Sequence, residues 1–189
     1  ADISVSGGTN TVNYYFSGGA LSQDGLRMGS GYKKAFGRMN LGAKLNDWVR
    51  ANINTQVSYD NTRLSPFGNN NAVGGGLAAM NAPFASPYDP NTGQELERVP
   101  LLDIATPRHV ISTNPARSNA FILSTNGSLT LTPLKDFTIR SMVGLELDYG
   151  TNRSRTLPSY YRAYGNGSSS RGFSRSEEHT SELQSHYSI

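Results

Sequence analysis

Among side chains able to do chemistry, histidine is scarce and cysteine absent: the chain carries His109, His179 and His186 and no thiol. The missing cysteines remove disulfides, thiolate metal ligands and cysteine nucleophiles. His109 lies in a long irregular stretch, with neither a serine nor a carboxylate tied to it by spacing, so it reads as a solvent-facing loop histidine and not as part of a nucleophile–base pair. Asp89-Pro90-Asn91-Thr92-Gly93 opens like a calcium loop, but Pro100 occupies the twelfth position, where a bidentate glutamate is needed. It reads as a turn. Gly165-Asn166-Gly167 lacks the third glycine and the following helix of a dinucleotide fingerprint. No catalytic residue, metal site or cofactor is expected, and the chain is not read as an enzyme. Tyrosine remains. Tyr88 beside the turn, and Tyr160, Tyr161 and Tyr164 in the last irregular stretch, are the candidate substrate-binding residues. Their rings could stack on sugars or, equally, pack against neighbouring loops.

The elements that must position these loops show a period of two. In Val49–Asp60, Val49, Ala51, Ile53, Thr55, Val57 and Tyr59 share one face, and Arg50, Asn52, Asn54, Gln56, Ser58 and Asp60 the other. Phe137–Tyr149 repeats the pattern, with Ile139, Val143, Leu145 and Leu147 against Thr138, Arg140, Glu146 and Asp148. Strict alternation is the signature of strands with unlike environments on their two sides. Six strands are expected: Asp2–Ser6, Thr11–Leu21, Ala35–Leu45, Val49–Asp60, Asn119–Leu131 and Phe137–Tyr149. Five run to about 11 to 13 residues, near the ~9–11 that a tilted strand needs to cross a bilayer and above the ~5–6 of globular sheets.

Gly7–Asn10, Asn46–Trp48 and Thr132–Asp136 are tight connections carrying turn residues, whereas Ser22–Lys34, Asn61–Ser118 and everything after Gly150 are long. Short and long alternate, as when turns and loops close opposite ends of one barrel. Composition agrees. Only 36% of the 189 residues are hydrophobic, 20 are glycine and 16% are charged, which is a poor globular core but enough apolar matter for every second strand position. No apolar run is long enough for a membrane helix. The net charge of +3 is modest and its lysines and arginines are scattered, so no nucleic-acid partner is expected.

Met39, Leu41, Ala43, Leu45, Phe121, Leu123, Leu129 and Leu131 are expected to face lipid, where unpaired polar groups cost several kcal/mol. Arg38, Asn40, Lys44, Arg50, Asn52, Asn54, Gln56, Arg140 and Glu146 then face a wet lumen. Tyr14, Phe16, Trp48, Tyr59, Phe137 and Tyr149 suit an interfacial aromatic girdle. Six strands cannot enclose a polar interior, since even ~8 leave room only for side chains. The fold expected is all-β, an antiparallel up-and-down meander forming part of a larger transmembrane barrel.

Two regions bound the reading. No signal peptide opens the chain, so Ala1 is expected to begin either a mature protein or an internal fragment. Arg175–Ser185, Arg-Ser-Glu-Glu-His-Thr-Ser-Glu-Leu-Gln-Ser, resembles the one-frame translation of a DNA-sequencing adapter along its whole run. Residues 175–189 are therefore expected to be an artefact tail, and residues 1–174 to be the N-terminal part of the barrel.

Within those residues, Val5-Ser6-Gly7-Gly8, Tyr14-Tyr15-Phe16-Ser17-Gly18-Gly19, Gln23-Asp24-Gly25, Ser30-Gly31-Tyr32-Lys33-Lys34, Arg38-Met39-Asn40-Leu41 and the Asn46-Asp47-Trp48 turn stand in sequence. Together they resemble the start of the barrel of SusC/RagA-like TonB-dependent outer-membrane receptors. The resemblance implies a barrel of about 22 strands with a plugged lumen, in the outer membrane of a Gram-negative bacterium. It also implies import of glycans or peptides, with outer-membrane lipid, a SusD-like lipoprotein and TonB as partners of the parent protein. Plug, TonB-contacting segment and most of the barrel are not among these residues. The alternative is a secreted or surface β-sandwich that binds carbohydrate, whose strands also alternate but are shorter and whose polar face meets solvent.

Overall fold

A computed structural model describes residues 1–64, 86–99 and 104–187. All six expected strands are present, and most extend further than the alternation reaches. They are β1 (Asp2–Gly8), β2 (Val12–Asp24), β3 (Gly31–Asn46) and β4 (Val49–Leu64), followed after the long connection by β7 (Ala116–Leu134) and β8 (Phe137–Thr156). Between β4 and β7 lie the two-residue strands β5 (Arg98–Val99) and β6 (Ile104–Ala105) and the helix α1 (Pro107–Thr113). A further strand, β9 (Ser168–Tyr187), completes one seven-stranded antiparallel sheet in the order β1-β2-β3-β4-β7-β8-β9. Each large strand pairs with its sequence neighbour, β4 meeting β7 across the connection.

Two expectations change. The connection after Gly150 is not all loop: β8 continues to Thr156, and β9 pairs with it along its length. Likewise β2 and β3 continue as a ladder to Asp24 and Gly31, which shortens their connection to Gly25–Ser30. The added segments, such as 61–63 and 117–118, are polar on both faces, so periodicity cannot mark them, yet their backbones still pair. The turns on the opposite end stay tight, with Asp136 at φ 66 supplying the left-handed residue of the Lys135-Asp136 turn.

Register confirms the two faces. Leu41, Ile53, Gly127 and Val143 lie directly opposite one another, as do Gly37, Val57, Leu123 and Leu147. On the reverse side Asn40, Asn54 and Asn126 form one row and Arg38, Gln56, Ser124 and Glu146 another. In the middle of the apolar face Thr55 Oγ1 and Thr125 Oγ1 share one hydrogen bond at 2.8 Å, which lowers the penalty of placing two hydroxyls in hydrocarbon.

Among the described residues no second layer covers the apolar side. Ile3 is 78% exposed, Val143 60% and Leu134 70%, and the only other sheet among the described residues is β5–β6. A β-sandwich would bury these side chains against a facing sheet. The strands, up to 20 residues long, and the uncovered apolar face instead make this chain one wall of a transmembrane β-barrel. Tyr59, Phe121 and Tyr149 stand in a single row toward the long-loop end. Tyr14 and Phe16 are paired further in, opposite Leu41 and Met39, where the Tyr14 ring crosses Gly7: a Cβ on Gly7 would meet its hydroxyl at 2.5 Å.

Leu145→Lys in the full-length protein should destabilise the folded barrel by about 2–4 kcal/mol, as a charge placed on the lipid face near mid-span does. Met142→Lys on the opposite face should cost far less. Urea-dependent loss of the heat-modifiable folded band on gels compares the two, and equal effects would contradict the assignment of faces.

Candidate functional site

Two surfaces qualify as candidates. The first is the polar face, where amide and hydroxyl side chains line shallow grooves. One, of about 310 Å³, is bordered by Arg38, Asn40, Asn54, Gln56, Ser124 and Asn126. Arg38 Nη2 donates to Gln56 Oε1 at 3.0 Å, and Asn52 Nδ2 to Ser128 Oγ at 3.5 Å. These groups offer both donors and acceptors at the ~4.8 Å strand spacing, a surface suited to polar, hydrogen-bonding molecules and not to apolar ones.

The second is a knot of aromatic rings among the long loops. α1 begins where Thr106, in extended conformation, caps the helix, accepting from His109 N at 3.3 Å with Pro107 next in line. A threonine before a proline is a helix-start signal, present in the sequence but overlooked within a stretch lacking periodicity. The Thr106 hydroxyl also donates to the Leu96 carbonyl at 2.6 Å, fixing α1 to the preceding segment. Ala105 and Val110 are fully buried there, and Tyr160, 8% exposed, packs on both.

His109 is not a solvent-facing loop residue. Its ring is half-buried and stacks on Tyr160 with centroids 5.8 Å apart, and its Nε2 accepts from the Tyr161 backbone N–H at 3.4 Å. Tyr161 meets Tyr160 edge-on at 5.2 Å. Of the four tyrosines proposed from sequence, the structure thus joins Tyr160 and Tyr161 through α1. Tyr88 stands at one side, its ring under the Arg108 guanidinium at 5.8 Å, while Glu95 holds Arg108 by an ion pair. Tyr164 is 87% exposed, with φ 48. Asp89 does form a turn: its carboxylate accepts from Asn91 N and Thr92 N, and Gly93 at φ 68 closes it. Sequence reasoning missed Arg108, Glu95 and the structural use of His109. Their contacts are long-range, and only the Thr106-Pro107 pair left a local trace.

The Tyr160 hydroxyl is buried and finds no hydrogen-bond partner among the described residues. Burial raises its pKa above the ordinary phenol value, Tyr161 adds to the rise and Arg162 opposes it. A raised phenol favours the neutral form in the packed loop. Its contribution to docking is therefore complete below about pH 10, the free value, and is lost as pH climbs through the raised one.

Tyr160→Phe should leave loop packing unchanged or strengthen it by about 1 kcal/mol, because an unsatisfied hydroxyl is removed. Tyr160→Ala should weaken it by about 3 kcal/mol through the cavity left behind. Amide exchange at Val110 and Tyr161 in the full-length protein reports both, and faster exchange in Tyr160→Phe would refute the packing account.

No family model matches the sequence, and no curated protein matches it. Solved structures do. Over 98% of this chain, a chain of the RagAB peptide importer in its open-open state superposes with a TM-score of 0.83 and 22% identity, contributing 21% of its own length. The importer's closed-closed state gives 0.83 and 22% identity over the whole of this chain and 22% of that one. A third structure, of the RagAB peptide transporter, gives 0.82 and 22% identity over 98% of this chain. This chain spans about a fifth of the length of those it matches, and its fold is that of part of such a chain.

Proposed function

We propose that this chain is part of the barrel wall of a TonB-dependent outer-membrane importer. The observation that carries the reading is the seven-stranded meander, apolar from β2 to β8 and uncovered on one face among the described residues and polar on the other, which superposes on RagAB importer chains at a TM-score of 0.83. The fold excludes water and lipid from each other while lining a polar interior. In this reading the parent protein takes up large nutrients, and the peptide cargo of RagAB favours peptides over glycans. A SusD-like surface lipoprotein serves as partner on the long-loop side, and energy reaches the barrel through TonB. The chain's own role is scaffold and recognition without chemistry. Tyr88 and Tyr164, whose rings stay accessible, are the loop contacts for cargo, and Tyr160 and Tyr161 hold the loops together.

The same reading sets residues 175–189 outside the barrel. Register puts Arg175, Glu177 and His179 opposite Tyr149, Leu147 and Leu145 on the lipid face, where a charge at mid-membrane costs about 2–4 kcal/mol. Phe173, whose ring lies 6.5 Å from that of Tyr149, is the last residue of β9 to keep the pattern before them. Genomic DNA read across codon 174 should continue with an alternating strand in place of Glu177-Glu178-His179. Finding the present residues there would overturn that part.

Deleting the parent gene should abolish growth on oligopeptides as sole amino-acid source, and deleting the host's tonB should have the same effect. Unimpaired growth of both strains, with the protein absent from the outer-membrane fraction of the wild type, would defeat the proposal.

A further inference from the structure

The register brings together four arginines that are far apart in the sequence. Arg63 of β4 lies opposite Arg117 of β7, Arg117 opposite Arg153 of β8, and Arg153 opposite Arg171 of β9. Residues directly opposite share a face, and here it is the apolar one, since Arg63 follows Val57 and Tyr59 in the same alternation and Arg153 follows Leu147 and Tyr149. All four are exposed, and none forms an ion pair with an acid among the described residues. Arg171 rests over the Phe173 ring at 4.6 Å. Arg155 and Lys33 extend the positive strip on the same face, and Asp24, opposite Gly31, is the acid nearest to its edge in register.

Depth gives the row its meaning. From Val49 to the aromatic row Tyr59–Phe121–Tyr149, the apolar face of β2, β3, β4, β7 and β8 carries no charged residue. Those ten steps rise about 33 Å along the strand, or about 25 Å along the membrane normal at the usual tilt, the height of a barrel's apolar band. A neutral row, Asn61–Asn119–Thr151, follows, and then the arginines, four steps and so about 10 Å of normal beyond the aromatics. That is where hydrocarbon gives way to headgroups, and flexible arginines can reach several ångströms along it.

Like charges directly opposite on neighbouring strands repel. Four in succession, at about 4.8 Å per strand, need anions from outside the sheet, and guanidinium groups take phosphate oxygens in paired hydrogen bonds. We propose that Arg63, Arg117, Arg153 and Arg171 form a docking strip on the outer wall for the phosphate groups of lipid headgroups in the leaflet on the long-loop side. The proposal rests on the barrel-wall reading above, and adds to it a specific lipid contact.

The full-length protein, purified in detergent, is tested with diphosphoryl lipid A, its dephosphorylated counterpart, inorganic phosphate and a soluble poly-glutamate peptide. Outer-membrane fractionation and heat-modifiable migration of the wild type test the barrel reading separately. Only the diphosphoryl lipid should bind tightly and raise the unfolding temperature. The triple variant Arg63→Gln, Arg117→Gln, Arg153→Gln should bind it at least about tenfold more weakly, in keeping with the loss of charge-assisted hydrogen bonds, while the matching Arg→Lys triple retains most binding. Arg117→Gln alone supplies an intermediate loss should the triple fail to fold. Equal binding by variant and wild type, equal binding of the dephosphorylated lipid, or preference for phosphate ion or the acidic peptide would each overturn the proposal.

Discussion

The constraint on which everything else depends is that a backbone facing hydrocarbon has no water to pair with. This chain meets it with one antiparallel ladder in the order β1-β2-β3-β4-β7-β8-β9, in which each strand bonds to its neighbour in that order. Once the backbone is satisfied in that way, alternate side chains are forced to opposite sides, and the sequence has only to be apolar at every second position. This explains how a chain of 36% hydrophobic residues builds a wall with so few buried side chains. Its apolar atoms are spent on lipid, not on a core.

Where the strands leave the apolar band the rules change. Beyond Tyr59, Phe121 and Tyr149 polar residues appear on both faces, the ladder persists in water, and packing shifts to the loops. There a small conventional core appears: Ala105 and Val110 of the β6–α1 segment, closed by Tyr160 with the His109 ring stacked on it. The helix is too short to stand alone. Its cap at Thr106, its anchor to Leu96 and its ring contacts hold it, so residues that resemble binding candidates in sequence turn out to divide between support and display. Tyr160 supports; Tyr164 is displayed.

Charge follows the same geometry. On the polar face Lys34 pairs with Asp60 across strands at 3.7 Å. At the short-turn end Lys44 holds Asp47 at 2.5 Å, keeping that carboxyl below its ordinary pKa. The arginine strip is set apart by its place, gathered on the outward face at one end only.

The sequence by itself determined the strands and their faces, because alternation is a local property: Val49–Asp60 and Phe137–Tyr149 declare both sides without reference to any partner. It also determined the tight turns at Asn46–Trp48 and Thr132–Asp136, where turn residues cluster. Tertiary structure decided what depends on residues distant along the chain. The strand ends past Leu21, Asp60 and Tyr149 carry no pattern of their own and exist because a neighbouring backbone bonds to them. The burial of His109 arises from α1 meeting the 157–167 loop. The alignment of Arg63, Arg117, Arg153 and Arg171 is invisible until register is known, since a slip of one residue would send any of them to the lumen.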